Sequence, residues 1–180
     1  MEADSDLQLE VNFQWNSWAP IKCNYLLWRA ISGKVAAKLS LLHRGINLDN
    51  LCCDRCGYGL EDPDHIFAGC IWARSVWWQV AVWMRIPPPI DATSLKEAVK
   101  LMTSNTGSAK WKKIVYTVVL ASVWRIWRVR NLMVFEGVFV PIRRIVDLIK
   151  EDAFLWISHR SKLPNPDWDN WLEFNVVNLL

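Results

Sequence analysis

The chain has 180 residues, 52% of them hydrophobic, with 21 Lys or Arg against 18 Asp or Glu and a formal net charge of +3. That is enough apolar material for one ordinary domain or two small ones, which excludes overall disorder, and too little positive charge to announce nucleic-acid binding by itself. The longest uncharged stretch, between Lys113 and Arg125, falls well short of the roughly 20 residues needed to cross a bilayer, so no membrane span is expected.

Residues 1–17 form an acidic lead-in, MEADSDLQLEVNF and onward, without the basic start and apolar run of a secretory signal. The expected location is inside the cell, in the nucleus or cytoplasm. A zinc-binding helical module follows over 18–86. From Pro20 to about Arg44 the pattern is helical, with Trp28, Ile31, Val35, Leu39 and Leu42 on one face and Gly33 weakening the middle. After Gly45 the chain enters a cysteine-rich loop. A second helix, IWARSVWWQVAVWM, follows Cys70, is apolar nearly all round, and is stopped by Pro87, Pro88 and Pro89.

Residues 87–110 read as a linker with one short helix, SLKEAVKLM, in which Ser94 and Glu97 make a capping box. A Trp-rich helical region spans 111–160. Its first helix, Lys110 to Phe135, has a centre, IVYTVVLASVW, β-branched enough for a strand, but its length favours a helix. Pro141 then opens a helix with Ile142, Ile145, Val146, Ile149 and Phe154 on one side, reaching about Ser158. Residues 161–180 form an extended strap that returns Trp168 and Trp171 to the body. The fold class is mainly α.

Four of the five cysteines and one of the three histidines fall within LCCDRCGYGLEDPDHIFAGC, residues 51–70. Cys53 and Cys56 have the C-x2-C spacing, and His65 and Cys70 follow. Three thiolates and one imidazole suit Zn²⁺ better than a hard cation. Four ligands with none to spare describe one closed structural ion without a metal-bound water. Asp62 and Pro63 form an N-cap and first-turn pair for a short helical turn holding His65. On a continuous helix His65 and Cys70 would stand about 140° apart, so a break near Gly69 is required. The competing reading is a set of reduced buried thiols or a redox pair, although the βαβ setting of a thioredoxin-like motif is absent. Cys52 is the spare, with Cys52 and Cys56 also a permitted separation; Cys23 is a small core residue.

Thirteen Trp is the unusual count in the composition. Each serves as core filler, interface anchor or base-stacking platform. Basic residues gather at Lys22, Arg29, Lys34, Lys38 and Arg44 on the first helix. Arg125, Arg128 and Arg130 are interleaved with Trp124 and Trp127 on the later one. These cations are candidate phosphate contacts and the two tryptophans candidate stacking surfaces; the alternative is that Trp124 and Trp127 are core, with arginine stems covering its rim.

With the ligands in place, WAPIKCNYLLWRAISGKVAAKLSLLHRGI, the C-x2-C pair, Glu61, HIFAGC and ARSVW together resemble the reverse-transcriptase zinc-binding domain of plant LINE-type (non-LTR) retrotransposon polyproteins. VWRIWRVRNLMVF resembles the Trp-rich helix that follows that module, so the likeness covers roughly residues 15–160. The resemblance implies one structural zinc, RNA or DNA as partner, and contact with polymerase domains upstream in a parent polyprotein. The chain is expected to begin after those domains. The parent activity, RNA-directed DNA polymerisation, needs paired carboxylates holding Mg²⁺, and no Tyr-x-Asp-Asp pair occurs in this chain. Asp62 and Asp64 belong to the metal loop, while Glu151 and Asp152 are expected to be solvated without partners. His43 and His159 lie in no nucleophile motif. The expected function is a non-catalytic nucleic-acid-binding accessory module, with a structural remnant or protein-interaction domain as the alternative.

Overall fold

The computed structural model describes residues 13–57, 59–164 and 166–179; of the acidic lead-in, residues 1–12 lie outside the described residues. The architecture is mainly helical. Among the described residues the β structure consists of one isolated antiparallel bridge, Cys52 to Leu60.

The expected first helix is two helices. α1 spans Ile21–Ile31 and α2 spans Lys38–His43. Between them Gly33 takes φ 68°, and the amides of Gly33 and Lys34 donate to the carbonyls of Ala30 and Arg29, which closes α1 in a Schellman turn. The Arg29 guanidinium completes that end by donating Nε and Nη2 to the Lys34 carbonyl at 3.2 and 2.7 Å. The inward face of α1 also differs from expectation. Cys23, Leu26, Leu27 and Ala30 are buried, whereas Trp28 and Ile31 are half-buried. A polar side chain sets that phase. Asn24 is buried, accepts from the Asn16 amide at 2.8 Å and donates to the Asn16 carbonyl at 3.1 Å, while Asn16 Nδ2 reaches Thr117 Oγ1 at 2.9 Å.

α3 spans Ile71–Met84. Its burial is one-sided: Trp72, Ala73, Val76, Trp77, Val80, Ala81 and Met84 face inward, while Ile71, Trp78 and Val82 are exposed. α4, Leu95–Thr103, has the expected N-cap, with Ser94 Oγ accepting from the Glu97 amide at 3.2 Å. The Glu97 carboxylate accepts chiefly from the Thr93 amide and hydroxyl, each at 2.8 Å, with the Ser94 amide a weaker donor.

The longest element is α5, Ala109–Glu136. Its β-branched centre is helical because α1, α3, α4 and α6 all pack on it, and such packing outweighs intrinsic propensity. α6 spans Ile142–Arg160, with Pro141 at its N-cap. The C-terminal strap is partly helical: Asp167 caps α7, Trp168–Leu172, by accepting from the Asn170 amide at 3.0 Å. Trp171 is buried there and donates its indole N–H to the Lys150 carbonyl at 2.9 Å, while Trp168 stays partly exposed.

One buried cluster runs from Ala19 to Leu179 and includes side chains from α1, α3, α5 and α6. The boundaries expected at 86 and 111 therefore separate elements that share a core. The carboxylates expected to be solvated have partners. Asp152 receives Arg125 Nε at 2.5 Å and Nη2 at 2.6 Å, and Glu151 receives Arg144 at 2.8 Å. No helix among the described residues is long and apolar enough to cross a membrane.

Candidate metal centre

Cys53, Cys56, His65 and Cys70 converge, with one donor atom from each lying within 4.8 Å of every other. Cys53 and Cys70 have their sulfurs 4.0 Å apart, and Cys56 Sγ stands 3.4 Å from His65 Nε2. A tetrahedron with bonds of about 2.0–2.3 Å to N and S has edges of about 3.3–3.8 Å, so these separations have the right scale for one Zn²⁺. Cys52 lies outside the cluster, and its carbonyl accepts from Lys38 Nζ at 2.7 Å.

The local backbone explains the convergence. The Cys53 amide donates to Gly59 O at 2.7 Å and the Glu61 amide to Leu51 O at 2.9 Å, folding residues 51–61 into a narrow loop. Within it the Gly57 amide donates to the Cys53 carbonyl at 2.8 Å. Asp62 accepts from the His65 amide at 2.6 Å, as its N-cap role predicts. The turn that follows, His65–Gly69, is of the π type, closed by a bond from the Cys70 amide to the His65 carbonyl at 2.7 Å. An i→i+5 turn stacks residues five apart, so it supplies the break that an α-helix would need to bring His65 and Cys70 to one ion. Gly59 makes room for the imidazole: a β-carbon there would stand 2.2 Å from His65 Cε1.

The electrostatics of the thiols suit a cation. Contact with Cys70, reinforced by burial, pushes the Cys53 thiol up to about 12, against the amides of Cys56 and Arg55 that donate to its sulfur. Cys70 moves the other way, drawn down first by the Cys53 S–H and, despite burial, by the amides of Trp72 and Ala73 at the start of α3. Two adjacent buried sulfurs cannot both carry charge cheaply in a dry site; a divalent ion between them removes that conflict. The donor set therefore fits one structural zinc. All four groups are consumed as ligands in that arrangement, which leaves it structural in kind.

The loop is fastened to the helices at several points. Glu61, fully buried, pairs with Arg130 of α5, and its Oε1 accepts from the Lys38 amide at 3.2 Å. Lys38 Nζ bridges to Asp54 at 2.9 Å. Asp64 accepts from the Leu95 amide at 2.9 Å, linking the loop to α4. Phe67 stacks on Trp127 of α5, and Trp77 Nε1 donates to the Phe67 carbonyl at 2.7 Å.

The candidate phosphate contacts separate into two groups. Arg29, Lys38, Arg125 and Arg130 hold carbonyls or carboxylates of the chain itself, as described above. Lys22, Arg44 and Arg128 are exposed, and Lys34 is half-buried with its ammonium 5.2 Å from the Trp28 ring centroid. Lys22 from α1 and Arg128 from α5 both lie over Trp124, at 4.8 and 5.9 Å. Beside Lys22, Tyr25 stacks on Trp28 with centroids 5.5 Å apart. Tyr25 belongs to no sequence motif; its place one turn beyond Lys22 on α1 is the signal that marks it.

Residues 1–77 match a family model described as zinc-binding in reverse transcriptase, a span that holds all four ligands and the loop but neither α5 nor α6. No curated protein and no solved structure matches the chain. The Trp-rich helix Val123 to Phe135 lies beyond the matched span. Sequence match and geometry agree on the N-terminal part: it is similar to a zinc-binding domain found in reverse transcriptases, and Cys53, Cys56, His65 and Cys70 form a Cys3His set compatible with one structural zinc.

Proposed function

We propose that this chain is a non-catalytic, nucleic-acid-binding accessory module of a LINE-type retrotransposon reverse transcriptase of plant origin, acting in the nucleus or cytoplasm. The observation that carries the reading is the cationic and aromatic face shared by two helices. Lys22 and Arg128 flank Trp124, and the stacked pair Tyr25 and Trp28 continues the same surface of α1. Cations beside the exposed Tyr25 and the half-buried Trp28 and Trp124 suit a single strand, whose phosphates meet the charges while its bases stack on the accessible ring faces. The zinc loop contributes indirectly, because the Glu61–Arg130 pair anchors it to α5, one of the two helices that present this face.

The test is fluorescence anisotropy of the zinc-loaded chain with labelled single-stranded RNA and duplex DNA across salt concentrations. Binding is expected to fall steeply with salt, to favour the single strand, and to weaken about tenfold or more in Lys22→Glu/Arg128→Glu. No binding at low salt from a folded, zinc-containing sample contradicts the reading. One observation favours a second one. The exposed stripe Ile71, Trp78 and Val82 on α3 is apolar enough for a protein surface, such as upstream polymerase domains, to cover it. Under that reading Trp78→Glu reduces self-association while nucleic acid is ignored.

A further inference from the structure

The buried side-chain nitrogen and oxygen atoms that lack a hydrogen-bond partner among the described residues are three, Nε and Nη1 of Arg55 and Nε1 of Trp72. All three are donors, and all three stand beside the metal centre. Arg55 lies between Cys53 and Cys56, and Trp72 is two residues past Cys70. Buried donors are almost always paired, so a cluster of unpaired ones at a single place calls for a local reason.

The guanidinium is fixed by neighbours that leave its charge unanswered. It stacks on the Trp72 ring at 3.8 Å and on Phe139 at 4.6 Å, and Nη2 donates to the Val140 carbonyl at 3.0 Å. Among the described residues no carboxylate pairs with it; burial works against its charge, and the sulfurs of Cys70 and Cys53 are the groups that favour it. A zinc ion held by three thiolates and a neutral imidazole carries one excess negative charge. Burying that charge is costly unless a cation stands close, and the groups around a metal set its affinity as its ligands do.

We infer that Arg55 is the counter-cation of the zinc site: its charge, enclosed by Trp72 and the Phe139–Val140 segment, balances the excess charge of the three thiolates. The role is one of positioning and charge, since Arg55 is not itself a ligand. It also joins the metal loop to the connection between α5 and α6, so that closing the zinc site and seating that connection become one event. The inference rests on the Cys3His assignment and goes beyond it by naming what makes three thiolates tolerable in this loop.

The experiment is zinc competition against a chromophoric chelator across pH on the full chain, with cobalt(II) substitution to read the thiolate charge-transfer band. Arg55→Met is expected to weaken zinc binding about tenfold or more, to raise the pH of half-release and to shift the cobalt band. Arg55→Lys, which keeps the charge and loses the planar stack, stays within about threefold of the parent chain. Should Arg55→Met fail to fold, Arg55→Gln takes its place with the same expected results. The inference is overturned if the uncharged variant binds zinc within about twofold of the parent with an unmoved band, or if Arg55→Lys is as weak as Arg55→Met, which would make Arg55 a packing residue. Failure of the parent chain to bind zinc at all would instead overturn the ligand assignment.

Discussion

The metal loop at 51–70 and the helix pair α5 and α6 hold their shapes by different means. α5 and α6 are tied by a run of buried aliphatic side chains, Ile114, Val118, Ala121, Ile145, Ile149 and Ala153 among them, which stay together by loss of water contact. The loop has such a run only at its end, where Ile66, Phe67 and Ala68 are buried. Its first part is thinner: among residues 52–57 the buried one is the ligand Cys53, and several others are half-exposed. Its order comes from four donors, a few backbone hydrogen bonds and the Glu61–Arg130 and Lys38–Asp54 pairs. Two halves of one molecule thus depend on different conditions, one on burial and the other on a metal ion and on proton concentration.

Metal removal is the harshest way to break this comparison. A chelator, or Cys70→Ser, is expected to abolish zinc binding and to leave amides between 51 and 70 open to hydrogen exchange, while α5 and α6 keep most of their helical signal. For scale, structural zinc in small finger peptides contributes about 10–16 kcal/mol of apparent folding energy at neutral pH. Equal loss of protection in the loop and in α5 would show that the two regions do not differ as described.

Glu61→Ala probes the seam between them. The substitution leaves the Arg130 charge buried and unpaired, so a cost of about 3–5 kcal/mol is expected in chemical denaturation, with loop and helices weakened together. A cost under about 1 kcal/mol would mean that Arg130 finds water or Asn131 sufficient. The smallest expected effect sharpens the comparison further. In Gly59→Ala the new methyl meets the imidazole of His65, so zinc affinity falls by roughly tenfold. The zinc-free helical signal should not change, which places the damage in the loop alone.

What was legible from sequence follows the same division. The ligand set was readable because metal chemistry demands particular residue types at short spacings, and Cys53, Cys56, His65 and Cys70 lie close in the chain. The long helices were readable because apolar runs and Pro141 are local signals. Gly33 was read as a weak point rather than an end, since the Schellman bonds that terminate α1 appear only in the backbone. The inward face of α1 was misphased because Asn24 counts as polar, although its bonds to Asn16 belong to the interior. The partners of Arg130 and Arg125 are not legible because Glu61 and Asp152 lie far from them in sequence and close in space. Charge spacing along one helix carries no information about a partner on another.

X-ray absorption at the zinc edge on the full chain tests the central claim most directly. The account predicts one zinc per chain with three sulfurs at about 2.3 Å and one nitrogen at about 2.0 Å. A shell with two sulfurs, or with oxygen in place of the third, would contradict the assignment of Cys53, Cys56, His65 and Cys70 as the complete ligand set.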